Sequence, residues 1–205
     1  MTNTIQTEFM PYPEVLFQAW KSGDYSMLTA SGASDYIKKI LVHKAKKRPG
    51  RRFFGEAFIA SRLEMKEGWY SSFKWLTSEK WVTGKKLEQI FEQPFHRALM
   101  KYIGADVLAN LQTKALSLHS QEEDRFVVGK GVKKAVAPDL WIIDKEGHFR
   151  FIESKLPGDT IQPHQTDGLD LIKRYLKVDC SVSVSIVTLC PENVDSNGAV
   201  TTGHT

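Results

Sequence analysis

The sequence predicts an α/β fold in which a central mixed β-sheet is flanked by helices. Leu140 to Ile143 is a short apolar run that suits a buried strand, and residues 148–155 and 180–189 alternate between apolar and polar side chains, as strands do. Residues 53–67 and 162–177 have helical spacing of their apolar side chains. The change of period between these segments indicates helices packed on a sheet.

Length and composition are those of one domain with, at most, a small appendage. The chain has 205 residues, of which 41% are hydrophobic and 25% charged, so it can bury a sizeable core. No apolar run reaches the roughly 20 residues that a membrane helix needs, and residues 1–10 lack the features of a signal peptide. Cys180 and Cys190 flank one predicted strand, too far apart for a disulfide. We therefore expect a reducing, cytoplasmic location and no membrane contact.

Residues 1–52 are predicted to be a helical lead-in that ends in a basic cluster. Residues 1–33 are expected to be helical, and Ser34 is placed to cap a further helix. This lead-in could face DNA as an arm or cover the core. Basic clusters suit phosphate contacts, although a solvated loop is the alternative. The residues expected to contact nucleic acid are Lys46, Lys47, Arg48, Arg51, Arg52, Lys130, Lys133 and Lys134.

The core is predicted to span residues 53–190 and to be followed by a polar tail, residues 191–205. Its elements are expected in the order helix 53–67, strand 69–76, a helical insert at about 84–118, strand 139–144, strand 148–155, helix 162–177 and strand 180–189.

One acid lies on the apolar stripe of the first core helix. Glu56 is followed at helical spacing by Ile59 and Leu63, so its side chain shares their face. An acid on a buried face needs a partner, although a glutamate near a helix N-terminus is also favoured by the helix dipole. Glu88 and Glu92, in the predicted insert, are the alternative helix-borne acids.

The stretch 138–165 contains the residues that point to chemistry. Asp139 opens the apolar strand, and Glu153 and Lys155 lie on one face of the strand that follows. Buried charges are costly unless they are paired or bind a metal. The pattern fits a salt bridge at the end of the sheet, and it also fits a site in which Asp139 and Glu153 bridge an ion across adjacent strands.

This stretch resembles the PD-(D/E)xK nuclease superfamily and, within it, the VRR-NUC domains. Two positions depart from the family pattern, since Leu156 stands where glycine is usual and Ser154 where a branched apolar residue is usual. Outside this stretch the resemblance is thin. The matching positions are Pro138, Asp139, Leu140, Glu153, Lys155, Pro157, Asp159, Ile161 and Gln165.

The resemblance implies a restriction-endonuclease-like fold and an endo- or exonuclease that depends on Mg²⁺ or Mn²⁺. Lys155 would orient or deprotonate the attacking water, and Gln165 would hold Lys155 or that water. DNA is the expected substrate rather than RNA, and a homodimer or a partner protein stays open. The implied metal ligands are Glu56, Asp139, Glu153 and the carbonyl of Ser154; the implied catalytic residues are Asp139, Glu153, Lys155 and Gln165.

Two other classes of function remain open at this stage. The chain could be a nucleic-acid-binding or assembly protein on a nuclease fold, although a degenerate site would usually have lost Asp139, Glu153 or Lys155. It could also be another member of the superfamily, such as a restriction endonuclease, a transposon end-cleaving subunit or a toxin. Target choice is expected to lie in the insert and the lead-in, because a fold does not specify a substrate.

Overall fold

A β-sheet with helices on both faces makes up the part of the chain that the structure describes. The structure is a computed structural model, and it describes residues 5–70, 100–101, 103–121, 138–176 and 182–192. The strands are β1 (Gln6–Tyr12), β2 (Glu67–Tyr70), β3 (Leu140–Ile143), β4 (Phe149–Lys155) and β5 (Val182–Pro191). The helices are α1 (Glu14–Lys21), α2 (Ser26–Thr29), α3 (Asp35–Lys47), α4 (Phe54–Arg62), α5 (Ala105–Gln121) and α6 (Pro163–Tyr175).

Within these residues the sheet has the strand order β1-β5-β4-β3-β2. β3 is antiparallel to both of its neighbours, β2 and β4, whereas β5 runs parallel to β4 and β1 runs parallel to β5. The sheet is therefore mixed, and the predicted α/β fold with a central mixed sheet flanked by helices is confirmed.

The two faces of the sheet are covered by different helices. On one face, Phe151 of β4 belongs to the same buried cluster as Ile172 of α6 and Leu108 of α5. On the other face, Ile142 of β3 belongs to a cluster with Phe58 of α4. Because both faces are covered, β3 is apolar at all four positions, as strands buried on two sides are.

The N-terminal segment differs from the prediction. Residues 1–33 were expected to be helical, but Gln6–Tyr12 is a strand that pairs in parallel with β5 at the edge of the sheet. Pro11 is compatible with this position, because a proline in a sheet is tolerated on an edge strand. The partner strand lies at the far end of the chain, so no local pattern could reveal the pairing. The helical part of the prediction is correct for α1 and α2.

The lead-in covers the core rather than projecting away from it. Trp20 and Leu28 are buried in the same cluster as Phe54 of α4. The Trp20 indole Nε1 also donates a hydrogen bond of 2.9 Å to the carbonyl of Arg52, which attaches the basic segment to the core. As predicted, the Ser34 side chain caps α3 by accepting a hydrogen bond from the third residue of that helix.

The first core helix is shorter than predicted, and the strand after it starts earlier. The helix was expected to run to residue 67 and to be closed by Gly68, but α4 ends at Arg62 and Gly68 lies within β2. A Cβ atom at Gly68 would stand 2.9 Å from Met65 Sδ and 3.1 Å from Ile37 Cγ1. Gly68 thus permits close packing of α3 on β2. This role depends on a tertiary contact, and the sequence alone does not distinguish it from that of a glycine that ends a helix.

The hairpin, the following helix and the last strand begin and end within about two residues of the predicted positions. None of the described helices is long and apolar enough to cross a membrane. Part of the predicted strand 69–76 and of the insert 84–118 lies outside the described residues, as does most of the tail. The named residues that also lie outside them are Glu88, Glu92, Lys130, Lys133, Lys134 and Cys180.

Candidate active site

The β3–β4 hairpin brings three of the predicted site residues to one end of the sheet. Leu140 pairs with Ile152, so Asp139, just before β3, lies beside the last residues of β4. The backbone N–H of Ser154 donates a hydrogen bond of 3.0 Å to Asp139 Oδ2. Asp139 and Glu153 thus face the same small region from adjacent strands, as the sequence predicted.

Lys155 is held by two oxygens. Its Nζ lies 2.9 Å from Glu153 Oε1 and 2.8 Å from Gln165 Oε1, and both charged residues are buried, with 7% of Lys155 and 2% of Glu153 exposed. The Gln165 amide nitrogen donates to the same Glu153 oxygen. The three side chains therefore form a closed triangle in which the ammonium has a defined position.

The first turn of α6 positions Gln165. Pro163 is the first residue of the helix, as predicted, and Gln162 caps it. Gln165 Oε1 accepts a hydrogen bond of 3.0 Å from the backbone N–H of Gln162 while it also accepts from Lys155. A capping interaction therefore fixes the amide that holds the lysine.

Glu56 approaches the same region from α4, which packs on the face of the sheet opposite to α6. Burial, followed by the negative charges of Glu153 and Asp159, raises the pKa of Glu56 to about 7, and Lys155 opposes this rise. Glu56 also lines the same cleft as Ser154, whose backbone N–H donates a hydrogen bond to Asp139. The structure therefore brings together Glu56, Asp139 and Glu153, called the site acids below, from three separate elements.

The close approach of α4 to β4 depends on a glycine. A Cβ atom built at Gly55 would overlap the Ser154 hydroxyl and would stand 3.1 Å from Leu189 Cδ1. The backbone of α4 can therefore touch β4 only because position 55 has no side chain and position 154 has a small one. The Ser154 side chain thus packs directly against the helix that bears Glu56.

The site acids repel one another. Burial, followed by the charges of Glu153 and Glu56, raises the pKa of Asp139 well above its ordinary value. Burial also raises the pKa of Glu153, although Lys155 opposes the rise. One ammonium group therefore does not balance three carboxyl groups, and a cation would lower the free energy of their ionised forms.

The donor set fits a hard divalent cation such as Mg²⁺, which prefers carboxylate oxygens and retains several waters. In the described residues, the closest group of three candidate ligands is a different one: Asp144, Glu146 and His148, whose ligand atoms lie within 4.8 Å of one another. The carboxylate oxygens of the site acids do not all lie within that distance of one another. The predicted ligation by the Ser154 carbonyl stays a prediction.

The group Asp144, Glu146 and His148 lies at the opposite end of the hairpin from the site acids. Asp144 accepts hydrogen bonds from the backbone N–H of His148, at 2.8 Å, and lies 3.2 Å from its ring Nδ1. The length of β4, about 20 Å, separates this turn from Lys155. Its hydrogen bonds account for the turn without an ion.

A cleft of about 400 Å³ opens beside the site acids. Its two walls are bridged by an ion pair in which Arg51 Nη2 lies 2.6 Å from Asp159 Oδ1. Arg52 is exposed and belongs to no ion pair among the described residues. The cleft is lined by Arg51, Arg52, Phe53, Glu56, Ser154, Leu156 and Asp159.

The basic cluster divides into two parts. Lys46, Lys47 and Arg48 are exposed at the end of α3 and just beyond it. Arg51 and Arg52 lie in the cleft, next to Glu56. The predicted phosphate-binding residues in this part of the chain therefore extend from the surface to the site acids.

Three residues near the site, Phe53, Tyr70 and Asp159, were not predicted as functional, and Lys44 was predicted only as part of the basic cluster 44–52. Lys44 Nζ lies over the rings of Phe53 and Tyr70, 5.9 Å and 5.0 Å from their centroids. Burial, and then the site acids, raise the pKa of the Tyr70 phenol above its ordinary value. Asp159 matched the family motif but was given no role. The position of Tyr70 follows from its pairing with Leu140, next to Asp139, which no sequence signal reveals.

Comparison of the chain with models of protein families, with curated proteins and with solved structures gives no match.

Proposed function

We propose that this protein is a metal-dependent nuclease that hydrolyses phosphodiester bonds of DNA. The observation that carries the proposal is the convergence of Glu56, Asp139 and Glu153, from three elements, on a buried Lys155 whose ammonium is fixed by Gln165. A salt bridge with a purely structural role would need Glu153 and Lys155 but would not need the other two acids.

The strand order supports a restriction-endonuclease-like core. The chain order of α4, β2, β3, β4, α6 and β5 is the one that the sequence predicted, with α5 between β2 and β3. In this arrangement the acids of β3 and β4 meet at the end of the sheet, and α4 supplies the third acid from the adjacent layer.

Each group has a role in the proposed hydrolysis. Water loses a proton to the solvent as it attacks phosphorus, the bond from phosphorus to the leaving oxygen breaks, and that oxygen takes up a proton from the solvent. Glu56, Asp139 and Glu153 would hold a Mg²⁺ or Mn²⁺ ion, which would neutralise the charge of the phosphate and favour the deprotonated form of water. The Lys155 ammonium orients the water and offsets developing negative charge, and Gln165 keeps it in place.

The cleft and the basic cluster support nucleic acid as the substrate. Exposed cations at Lys46, Lys47 and Arg48 continue into a cleft with two arginines beside the site acids. Phosphate contacts of this kind determine affinity and the position of a nucleic acid without reading its sequence. A non-catalytic nucleic-acid-binding protein would need the cations but would gain nothing from three crowded carboxyl groups.

The test is a cleavage assay with Mg²⁺ or Mn²⁺ on single-stranded, linear duplex and branched DNA, together with RNA of the same sequence. Asp139→Ala and Glu153→Ala are each expected to abolish cleavage, and EDTA should do the same to the unmodified protein. Asp144→Ala is the matched control, because Asp144 is an acid of the same hairpin outside the site. Cleavage that persists in EDTA or in either site variant would refute the mechanism.

A further inference from the structure

The residue before α4 has a backbone conformation that its side chain disfavours. Phe53 occupies the N-cap position with φ 63 and ψ 4, in the left-handed region, and is the one described residue other than glycine with a positive φ. Bulky residues rarely adopt this conformation, and N-caps are usually Ser, Thr, Asp or Asn. Phe53 also makes no side-chain cap for α4. Strain of this kind is found where a site requires a particular side chain.

Two neighbours fix the position of the Phe53 ring. The ring of Tyr70 meets it edge to face, with centroids 6.1 Å apart and an interplanar angle of 81°. Lys44 Nζ lies 5.9 Å from the Phe53 centroid and 5.0 Å from that of Tyr70. An aromatic edge-to-face pair and a cation over both rings restrict how the phenylalanine can move. The aromatic group at the cleft is therefore held in place before any ligand arrives.

The cleft combines the three chemical features of a nucleotide site. Phe53 supplies an aromatic ring, Arg51 and Arg52 supply cations for phosphate, and Glu56 supplies one of the site acids. Nucleobases of any sequence stack on aromatic side chains, which is how proteins bind single strands in basic grooves. A substrate that presents only its phosphate backbone would contact the arginines of the cleft but would have no group to stack on the aromatic ring.

The size of the cleft indicates whether it can hold paired or unpaired nucleotides. Its volume of about 400 Å³ lies near the lower end of the range of small-molecule sites. A B-form duplex, whose major groove alone is about 12 Å wide, cannot enter such a cleft. One nucleotide of a single strand can enter it.

From these observations we infer that the cleft is a subsite for one unpaired nucleotide, whose base stacks on Phe53 and whose phosphate contacts Arg51 and Arg52. The inference rests on the proposed nuclease function in taking the ligand to be a nucleic acid, and it specifies the substrate as a strand that is unpaired next to the scissile phosphate. Phe53 is a binding residue in this scheme, not a catalytic one.

The test measures equilibrium binding of the full chain in EDTA, which suppresses cleavage, to a fluorescent single-stranded DNA and to the corresponding blunt duplex. Phe53→Asn removes the ring while asparagine tolerates the left-handed backbone. This variant is expected to weaken single-strand binding by about 5-fold to 100-fold, the effect of one lost base–aromatic stack. Duplex binding should change by less than about twofold, because phosphate contacts dominate it.

Two controls separate stacking from a general effect on the protein. Phe53→Tyr keeps the ring and should retain single-strand binding. Phe9→Asn removes a phenylalanine that is 73% exposed on β1 and does not line the cleft, and this variant should bind as the unmodified protein does. The unmodified protein should also photo-crosslink to a single strand containing 5-iodouracil at Phe53, a readout that requires no variant.

The outcomes distinguish this inference from the nuclease proposal. Equal losses for single-stranded and duplex DNA in Phe53→Asn, or undiminished single-strand binding, would overturn the unpaired-nucleotide subsite, even if the protein cleaves DNA. Absence of crosslinking at position 53 would do the same. If the protein cleaves no substrate but binds single strands through Phe53, the subsite stands and the nuclease proposal fails.

Discussion

Arg51 and Asp159 form an ion pair that joins the segment before α4 to the turn after β4, with Arg51 Nη2 2.6 Å from Asp159 Oδ1. The other oxygen of Asp159 accepts a hydrogen bond of 3.1 Å from the backbone N–H of Leu156. Arg51 is thus occupied by an acid in the same cleft where a phosphate is proposed to bind. A substrate phosphate must therefore compete with Asp159 for the guanidinium.

The first prediction concerns this competition. Asp159→Asn removes the competing charge, and asparagine keeps an oxygen that can accept from Leu156. Affinity for DNA should rise, and the dependence of log K on log salt should steepen by about one unit, because one more phosphate contact forms. Stability should change by no more than about 1 kcal/mol, since both partners are partly exposed. Filter binding or anisotropy over a salt series measures both quantities.

Asp170→Asn is the matched control for Asp159→Asn. Asp170 forms an ion pair of the same length, 2.6 Å, with Arg174 on α6, and its exposure is similar. This pair does not line the cleft. A gain of affinity in both variants would attribute the effect to net charge alone and would contradict a specific role for Arg51.

The second prediction separates catalysis from stability at Lys155. Lys155→Ala should reduce cleavage by about 10²–10³-fold, the usual effect of removing one positioned donor that stabilises developing negative charge. Metal binding should persist because the site acids remain, and DNA binding should persist because the basic cluster remains. Lys145→Ala is the control, because its ion pair with Glu64 is exposed. If cleavage falls only in proportion to the unfolded fraction, Lys155 has a structural role.

The third prediction concerns pH in the absence of metal. The pKa of Glu56 rises from 4.5 to about 7 on folding, so between these values the folded protein binds more protons than the unfolded chain. The free energy of unfolding should therefore fall as pH rises through this window. Melting temperatures in EDTA should show this decline, which Glu56→Gln should reduce and Glu64→Gln, at an exposed acid, should not.

The raised pKa of Glu56 also has a consequence for metal binding. A divalent cation requires ionised carboxylates, so its binding should release protons and its stabilising effect should increase with pH. Mn²⁺ should raise the melting temperature more at about pH 8 than at about pH 5.5. Equal shifts at the two pH values would show that the cation binds away from the site acids.

The fourth prediction tests the contact between α4 and β4. Gly55→Ala introduces a methyl group that overlaps the Ser154 hydroxyl, and such overpacking costs about 1–3 kcal/mol. The overlap is relieved by rotation of the Ser154 hydroxyl or by movement of α4, and movement of α4 should displace Glu56 and reduce cleavage. Adding Ser154→Ala removes the hydroxyl and should restore part of both stability and activity. Gly32→Ala, where a Cβ meets nothing within 4 Å, should have no such effect on activity.

The β3–β4 hairpin and the meeting of its charged residues could be predicted from the sequence. The apolar run at Leu140–Ile143, the turn residues after it and the alternation of Phe149–Lys155 are local patterns, and local pairing determines which residues of a hairpin face each other. Gln165 was predictable for the same reason, since it lies in the first turn of a helix that begins at Pro163.

Only the tertiary structure decided what joins the hairpin at the site. β1 pairs with a strand at the far end of the chain, Tyr70 reaches the acids through its register against Leu140, and Glu56 arrives because Gly55 lets α4 touch Ser154. These contacts depend on side-chain volumes and on strand partners that are distant in sequence. The local spacing of apolar residues carries no information about either. The sequence by itself determined the hairpin and its acids, whereas packing between layers brought Glu56 of α4 and the rings of Phe53 and Tyr70 to the same end of the sheet.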